Sequence, residues 1–243
     1  MNGLSSFEAI NYKQLTVNFG GIKRLFYVGN TLISIHENKV VANYIQLRSL
    51  SDSNTTDGLL AISDAYFGND RPLETEYGTQ HPESCYQYNG LIYFLDVARG
   101  VVCRYDNNGL DVLSDKKMRS YFKERCSQGV VSAWSVFDPY YREYIVSLDT
   151  DTIAWSEPKN RWNTFYSFAG ECYATILRSI VSFKNGALWF HDKNPVYNNF
   201  YGVQYTSKIT PIPHLDNDKV IWFAFNLQGS QAQVNTNNWA VPS

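Results

Sequence analysis

The sequence predicts an all-β fold: a β-propeller-like array of short antiparallel meanders with one or two short helices. Three observations predict it. Short runs rich in Val, Ile, Tyr, Phe and Trp alternate with Asn, Asp and Gly turns, the pattern of strands joined by tight connections. Aromatic residues make up 16% of the 243 residues, with 18 Tyr, 14 Phe and 6 Trp, which excludes disordered, collagen-like and coiled-coil chains. Strand-like segments also recur at intervals of roughly 40 to 50 residues, the period of propeller blades.

The elements follow in order. Residues 24–28, the Gly29-Asn30 turn and residues 31–35 form a hairpin, because Gly-Asn supplies the positive φ of a two-residue connection. Residues 38–45 return as a third strand. Residues 46–83 are polar and turn-rich and form a long inter-blade connection, with a short strand or helix at the apolar stretch 59–62. A second meander comprises 84–88, Asn89-Gly90, 91–95 and 101–105. The best helix is 114–126: Ser114 is placed as N-cap, Asp115 suits the positive end of the dipole, and Met118, Tyr121 and Phe122 form one apolar stripe extended by the Arg125 stem. A third meander runs through 130–137, 143–148, 152–156 and 162–168. A fourth begins with 178–183, Asn185-Gly186, 187–190 and a strand at 199–203. This makes residues 1–225 one propeller-like domain and leaves 226–243, rich in Gln and Asn, as an extended C-terminal segment.

Three of these strands end at an Asp: LIYFLD at 91–96, YIVSLD at 144–149 and ALWFHD at 187–192. The alignment predicts that Leu91, Tyr93, Ile145, Leu188 and Phe190 are core positions of successive blades.

The chain carries 21 Lys plus Arg against 23 Asp plus Glu, a net charge of −2, which argues against a dedicated nucleic-acid binder. Cys85, Cys103, Cys126 and Cys172 show no metal-finger spacing and are expected to be reduced, packed thiols. No apolar run reaches the about 18 residues that span a bilayer. MNGLSSFEAI lacks the basic and apolar regions of a signal peptide. Neither membrane insertion nor general secretion is expected.

Catalytic patterns are missing: there is no GxSxG, GxxxxGK, HExxH or GxGxxG. His36, His81, His191 and His214 are scattered, and His191 beside Asp192 is expected to be a strand histidine bonded to a neighbour. Asp149 with Asp151 and Asp216 with Asp218 stand in turns, without the downstream Glu of a calcium loop. Trp134, Trp155, Trp162, Trp189 and Trp222 are expected as packing residues, with sugar-stacking platforms the alternative. Lys116, Lys117, Arg119, Lys123 and Arg125 make the predicted helix basic. No cofactor and no metal are expected.

An ordered set of motifs then carries a resemblance. YGTQHPES at 77–84 leads into YNGLIYFLD at 88–96, GVVCRY at 100–105, NGL at 108–110 and MRSYF at 118–122. FDPYYREYI at 137–145, NRW at 160–162, SFKNG at 182–186 and NNFYG at 198–202 follow. Together they resemble the tail stabilisation or muzzle (nozzle) proteins of crAss-like short-tailed phages, over about residues 77–210. The resemblance implies a noncatalytic virion structural protein, assembled in the bacterial cytoplasm as a ring of copies around the tail channel below the portal. Its partners would be portal-proximal and other tail proteins, with only passing contact with genomic DNA, and it would support retention of packaged DNA and its ejection. Such proteins are longer, so the chain is expected to be a fragment, a processed piece or a shortened relative. A helix surface of Lys116, Lys117, Met118, Arg119, Tyr121 and Phe122 is expected to face a partner. The alternative function is a carbohydrate-binding or glycan-hydrolysing propeller acting on the host surface. Few charges, many aromatics and no free sheet edges suit a structural part.

Overall fold

The computed structural model describes residues 13–45 and 67–208. A 3₁₀ turn at Val17–Phe19 precedes β1 (Ile22–Val28), β2 (Thr31–His36), β3 (Val40–Ile45) and β4 (Phe67–Pro72). They pair antiparallel in chain order as a first four-stranded sheet. β5 (Tyr86–Tyr88), β6 (Leu91–Asp96), β7 (Val101–Asp106) and β8 (Gly109–Val112) make a second sheet of the same topology. The helix α1 (Arg119–Ser127) leads to the third: β9 (Ala133–Asp138), β10 (Glu143–Leu148), β11 (Asp151–Ser156) and β12 (Arg161–Tyr166). A three-stranded sheet of β13 (Cys172–Ile176), β14 (Ser179–Lys184) and β15 (Ala187–Phe190) follows, then a hairpin of β16 (Asn199–Phe200) and β17 (Val203–Gln204).

Turn chemistry sets the registers. At Asn89-Gly90 both residues have positive φ, 48° and 79°, as a type I′ turn requires, and Tyr88 accordingly pairs with Leu91.

Successive sheets pack face to face, and strand alternation shows how. On β6, Ile92 and Phe94 point to the first sheet, joining Ile33, Ile35, Val40 and Ala42. Their neighbours Tyr93 and Leu95 point the other way, into a cluster with Phe137, Tyr144, Val146, Leu148 and Trp155 of the third sheet. On β10 the division repeats, and Ile145 faces Ile180 of the fourth sheet with Val136 and Ala154. The second and third sheets are thus apolar on both faces. Between them Tyr88 stacks on Phe137 with centroids 4.1 Å apart, and Tyr93 on Tyr144 at 4.6 Å, offset-stacked pairs worth about 0.5–1.5 kcal/mol each beyond their burial.

The run at 77–84 straps the first sheet to the second. Thr79 donates its N–H to the His36 carbonyl (2.9 Å) and its hydroxyl to the Leu95 carbonyl (2.7 Å). Gln80 donates to the Glu37 carbonyl at 3.1 Å and accepts from the amides of Val97 and Ala98. Only glycine fits at position 78, because a Cβ there would collide with the carbonyls of His36 and Glu37.

The chain is mostly β, with one α-helix among the described residues, and the three predicted hairpin turns stand where expected. Four expectations are corrected. The predicted inter-blade connection contains β4, which completes the first sheet. The predicted strand at 199–203 is a hairpin turning at Tyr201 and Gly202, both at positive φ. The helix begins at Arg119, not Ser114: residues 113–115 form a separate 3₁₀ turn, and Lys117 at φ 70° interrupts the path. Ser114 is buried and caps no helix; its Oγ accepts the Val102 N–H. Finally, Leu188 and Phe190 are not core, being 48% and 54% exposed. β15 is the third strand of its sheet whereas β6 and β10 are second strands, so the true counterpart is β14, with Ile180 and Val181 buried. Among the described residues the stacked sheets close neither a barrel nor a propeller. The stretch 59–62, the boundary near residue 225 and the segment 226–243 lie outside them.

Replacing Ile145, 2% exposed, with Ala should cost on the order of 2–5 kcal/mol, whereas Leu188→Ala should stay within about 0.5 kcal/mol. Urea unfolding of the two variants measures both.

Candidate functional site

The six residues of the predicted partner-facing surface divide into two sets. Phe122 is fully buried and Met118 and Tyr121 pack on the same core, with Phe122 4.8 Å from Trp162. The apolar stripe therefore faces inward, which corrects its expected exposure: the cover that Met118, Tyr121 and Phe122 need comes from the second and third sheets of the same chain. Lys116 is also engaged within the chain, bonding Asn160 (2.8 Å) and Asp111 (3.1 Å), with its ammonium 5.2 Å from the Trp155 ring centre. Lys117 and Arg119 are exposed, and Arg119 is paired with Asp115 at 2.9 Å. Of the predicted surface, only these two present their charge to solvent.

The Asp residues that close β6 and follow β10 act as clasps. Asp96, fully buried, accepts the Gly78 N–H at 3.0 Å and pairs with Arg99. Asp149 accepts the amides of Val131 and Ser132. In each case the end of a meander's second strand holds the segment that enters the same meander. Arg125 adds α1 to the second clasp by bonding Asp149 at 2.8 Å, Asp151 at 3.2 Å and the Leu148 carbonyl. Partial burial raises the Asp149 pKa, but the Ser132 amide and Arg125 outweigh it, and the carboxyl titrates below its ordinary value. The Asp149–Asp151 pair thus holds a guanidinium. Asp192 follows β15 and has no such clasp, in keeping with its strand being third rather than second.

Polar side chains also tie the fourth sheet to the β16–β17 hairpin and to the third sheet. Ser182 Oγ lies 2.7 Å from His191 Nε2 and 2.8 Å from the Tyr201 hydroxyl, and Ser147 Oγ lies 2.8 Å from the Tyr173 hydroxyl. A serine beside a histidine suggests a nucleophile and its base, but Ser182 is fully buried. Burial holds His191 neutral, its pKa lowered to about 4 despite Asp138. His36 is buried, bonded to Ser34 and the Gly20 carbonyl. Burial pushes the Cys85 thiol up to about 12 and Cys126 to about 11, so neither supplies thiolate. Among the described residues no three His, Cys, Asp or Glu side chains group as a metal site. His214, Asp216 and Asp218 lie outside them.

Trp155 is buried and Trp162 stands edge-on to it at 5.5 Å, donating Nε1–H to the Leu113 carbonyl. These two are packing residues. Trp189, half-buried, lines a surface cavity, and Trp222 lies outside the described residues. The face of the fourth sheet turned away from the third carries Ile176, Phe183, Leu188 and Phe190, all exposed. Sequence reasoning missed this face because it placed β15 in the core.

Acid should lower the stability of the chain over two pH ranges. The folded-state pKa of His191 lies below its ordinary 6.5, so its contribution is complete above that value and is lost as the pH falls from about 6.5 to about 4. The loss amounts to about 3 kcal/mol, and His191→Gln should flatten it in urea titrations at stepped pH. Asp149 acts lower: its contribution is present above the ordinary 3.8 and disappears as the pH falls through its depressed folded value. Asp149→Ala should remove about 1.5–3 kcal/mol at neutral pH and shrink the loss in that lower range.

No curated protein matches the chain. A family model described as crassvirus muzzle protein matches residues 19–186, a span that runs from the turn before β1 through the turn after β14 and takes in the strap, both clasps and α1. No helix among the described residues is long and apolar enough to cross a membrane. The chain belongs to the crassvirus muzzle protein family, and its role is that of a structural component of a phage tail.

Proposed function

We propose that the chain is a noncatalytic wall part of the tail. Copies form a ring around the DNA channel below the portal, supporting retention of packaged DNA and its ejection. In this reading the stacked meanders are blades of a propeller-like domain, held by portal-proximal and other tail proteins. The observation that carries it is the apolar outer face of the fourth sheet. The inner sheets bury such faces on both sides, so the exposed row of Ile176, Phe183, Leu188 and Phe190 is the surface of a sheet built to be covered. Leu25 and Tyr27 of β1, each about half exposed, offer a second apolar patch at the other end of the stack.

Charge supports the same reading. A wall past which DNA must slide cannot grip phosphate, and the chain is slightly acidic overall. Of the basic residues near α1, Lys116, Arg119 and Arg125 are already paired with carboxylates. The exposed side of α1, with Arg119 and Lys123, and Lys117 just before it are assigned to a neighbouring subunit rather than to DNA.

Sedimentation velocity of the purified chain should show multimers, or pull-downs should retain tail proteins, and Phe183→Asp with Leu188→Asp should abolish both. A monomer that retains no tail protein in either form overturns the proposal. Affinity for duplex DNA at physiological salt should be no tighter than about 10⁻⁴ to 10⁻⁶ M. Converting Lys117, Arg119 and Lys123 to Ser should impair assembly and leave DNA binding unchanged, whereas a submicromolar, salt-sensitive affinity in the unmodified chain contradicts the assignment.

A further inference from the structure

The end of β15, the loop at 191–198 and the β16–β17 hairpin enclose a cavity of about 410 Å³, with Tyr141 of the β9–β10 turn on its far side. Its walls are aromatic: Trp189, Phe190 and Tyr201 from the strands, Tyr197 from the loop and Tyr141 opposite. Trp189 is fixed edge-on against Tyr201 at 5.5 Å, and Tyr201 is tied to Ser182, so one wall is rigid. Tyr197 stands 87% exposed at the mouth.

The polar groups are few. Asn194 turns its carbonyl to the Val196 N–H and its amide to Asn199, which uses both within the loop. The Asp192 carboxylate lines the cavity and is exposed, open to a ligand's donors. Partial burial raises its pKa, opposed by Lys193. An accessible carboxylate beside aromatic faces suits a ligand that brings hydroxyl donors and an apolar face together.

We propose that this cavity binds a neutral glycan, one sugar ring laying its C–H face on the aromatic wall while its hydroxyls donate to Asp192. A pyranose has this two-sided character: axial C–H groups give an apolar face that an aromatic ring covers, and the rim is all hydroxyl. Charge narrows the class. The Asp192 carboxylate on the cavity wall opposes uronic acids, sialic acids and the phosphates of a nucleic acid, with Lys193 the near counter-charge. A flat protein partner fits less well, because it would bridge a concave recess without filling it. The cavity and the outer face of the fourth sheet share Phe190, but Asp192 and Tyr197 line only the cavity and Phe183 and Leu188 only the face, so variants at these positions separate glycan capture from assembly.

The test is an array of defined neutral and acidic glycans probed with the full chain, the strongest hit then being titrated by tryptophan fluorescence. Binding is expected for neutral hexose-containing glycans. Asp192→Asn and Tyr197→Ala should each weaken it roughly tenfold or more. Neither change threatens the fold: Asn tolerates the φ of 58° at position 192, and Tyr197 is at the surface. Unaltered thermal melts would establish this. The proposal is overturned if no neutral glycan is retained, if acidic sugars or a single-stranded oligonucleotide bind more tightly, or if both variants bind as the parent does. It is equally overturned if the two variants reduce self-association and no glycan binds.

Discussion

A sheet that is apolar on both faces cannot stand alone, and the second and third sheets are of that kind. Tyr93 and Leu95 look one way along the stack and Ile92 and Phe94 the other, so β6 is stable only with a neighbour on each side. Every other feature serves that arrangement. The strap at 77–84 holds the first pair of sheets, the stacked rings Tyr88–Phe137 and Tyr93–Tyr144 fill the second gap, and α1 closes its open side with Phe122. The same requirement explains why the fourth sheet, with one face against the third, is the least buried of the four.

Much of this was legible in the sequence because tight turns leave local signatures. Asn89-Gly90 and Asn185-Gly186 fix their hairpins without help from tertiary structure. The strand-ending Asp residues were legible too, and Asp96 and Asp149 have a shared reason: each reaches back to the start of its own meander. The third was misleading. Asp192 ends a strand of similar pattern, but the meander that holds it is one strand shorter, and nothing local to 187–192 reports how many strands precede it. The helix start failed for a related cause. Ser114 and Asp115 look like a cap, yet the fold uses the serine hydroxyl to satisfy a strand amide at Val102, a demand set by residues far away in sequence.

The candidate sites were less legible than the fold. The stripe of Met118, Tyr121 and Phe122 was correctly seen as needing cover, but periodicity gives no sign of whether the cover belongs to the same chain. Of the Trp residues, Trp155 and Trp162 pack internally as expected, and the aromatic cavity gathers Tyr141, Trp189 and Tyr197 from segments with no common spacing. Only the placement of the loop at 191–198 beside the β9–β10 turn brings them together.

The strap has a mechanical consequence. Its bonds to His36, Glu37, Leu95 and Val97 lie between two sheets, so separating those sheets requires several of them to break at once. Resistance to a brief load depends on the rate of unfolding rather than on the equilibrium between folded and unfolded states. A latch of this kind raises the barrier to parting while adding modestly to total stability. The part would therefore withstand a sudden pull better than its melting temperature suggests, and loosening the strap would shorten its lifetime under force well before it altered the melt.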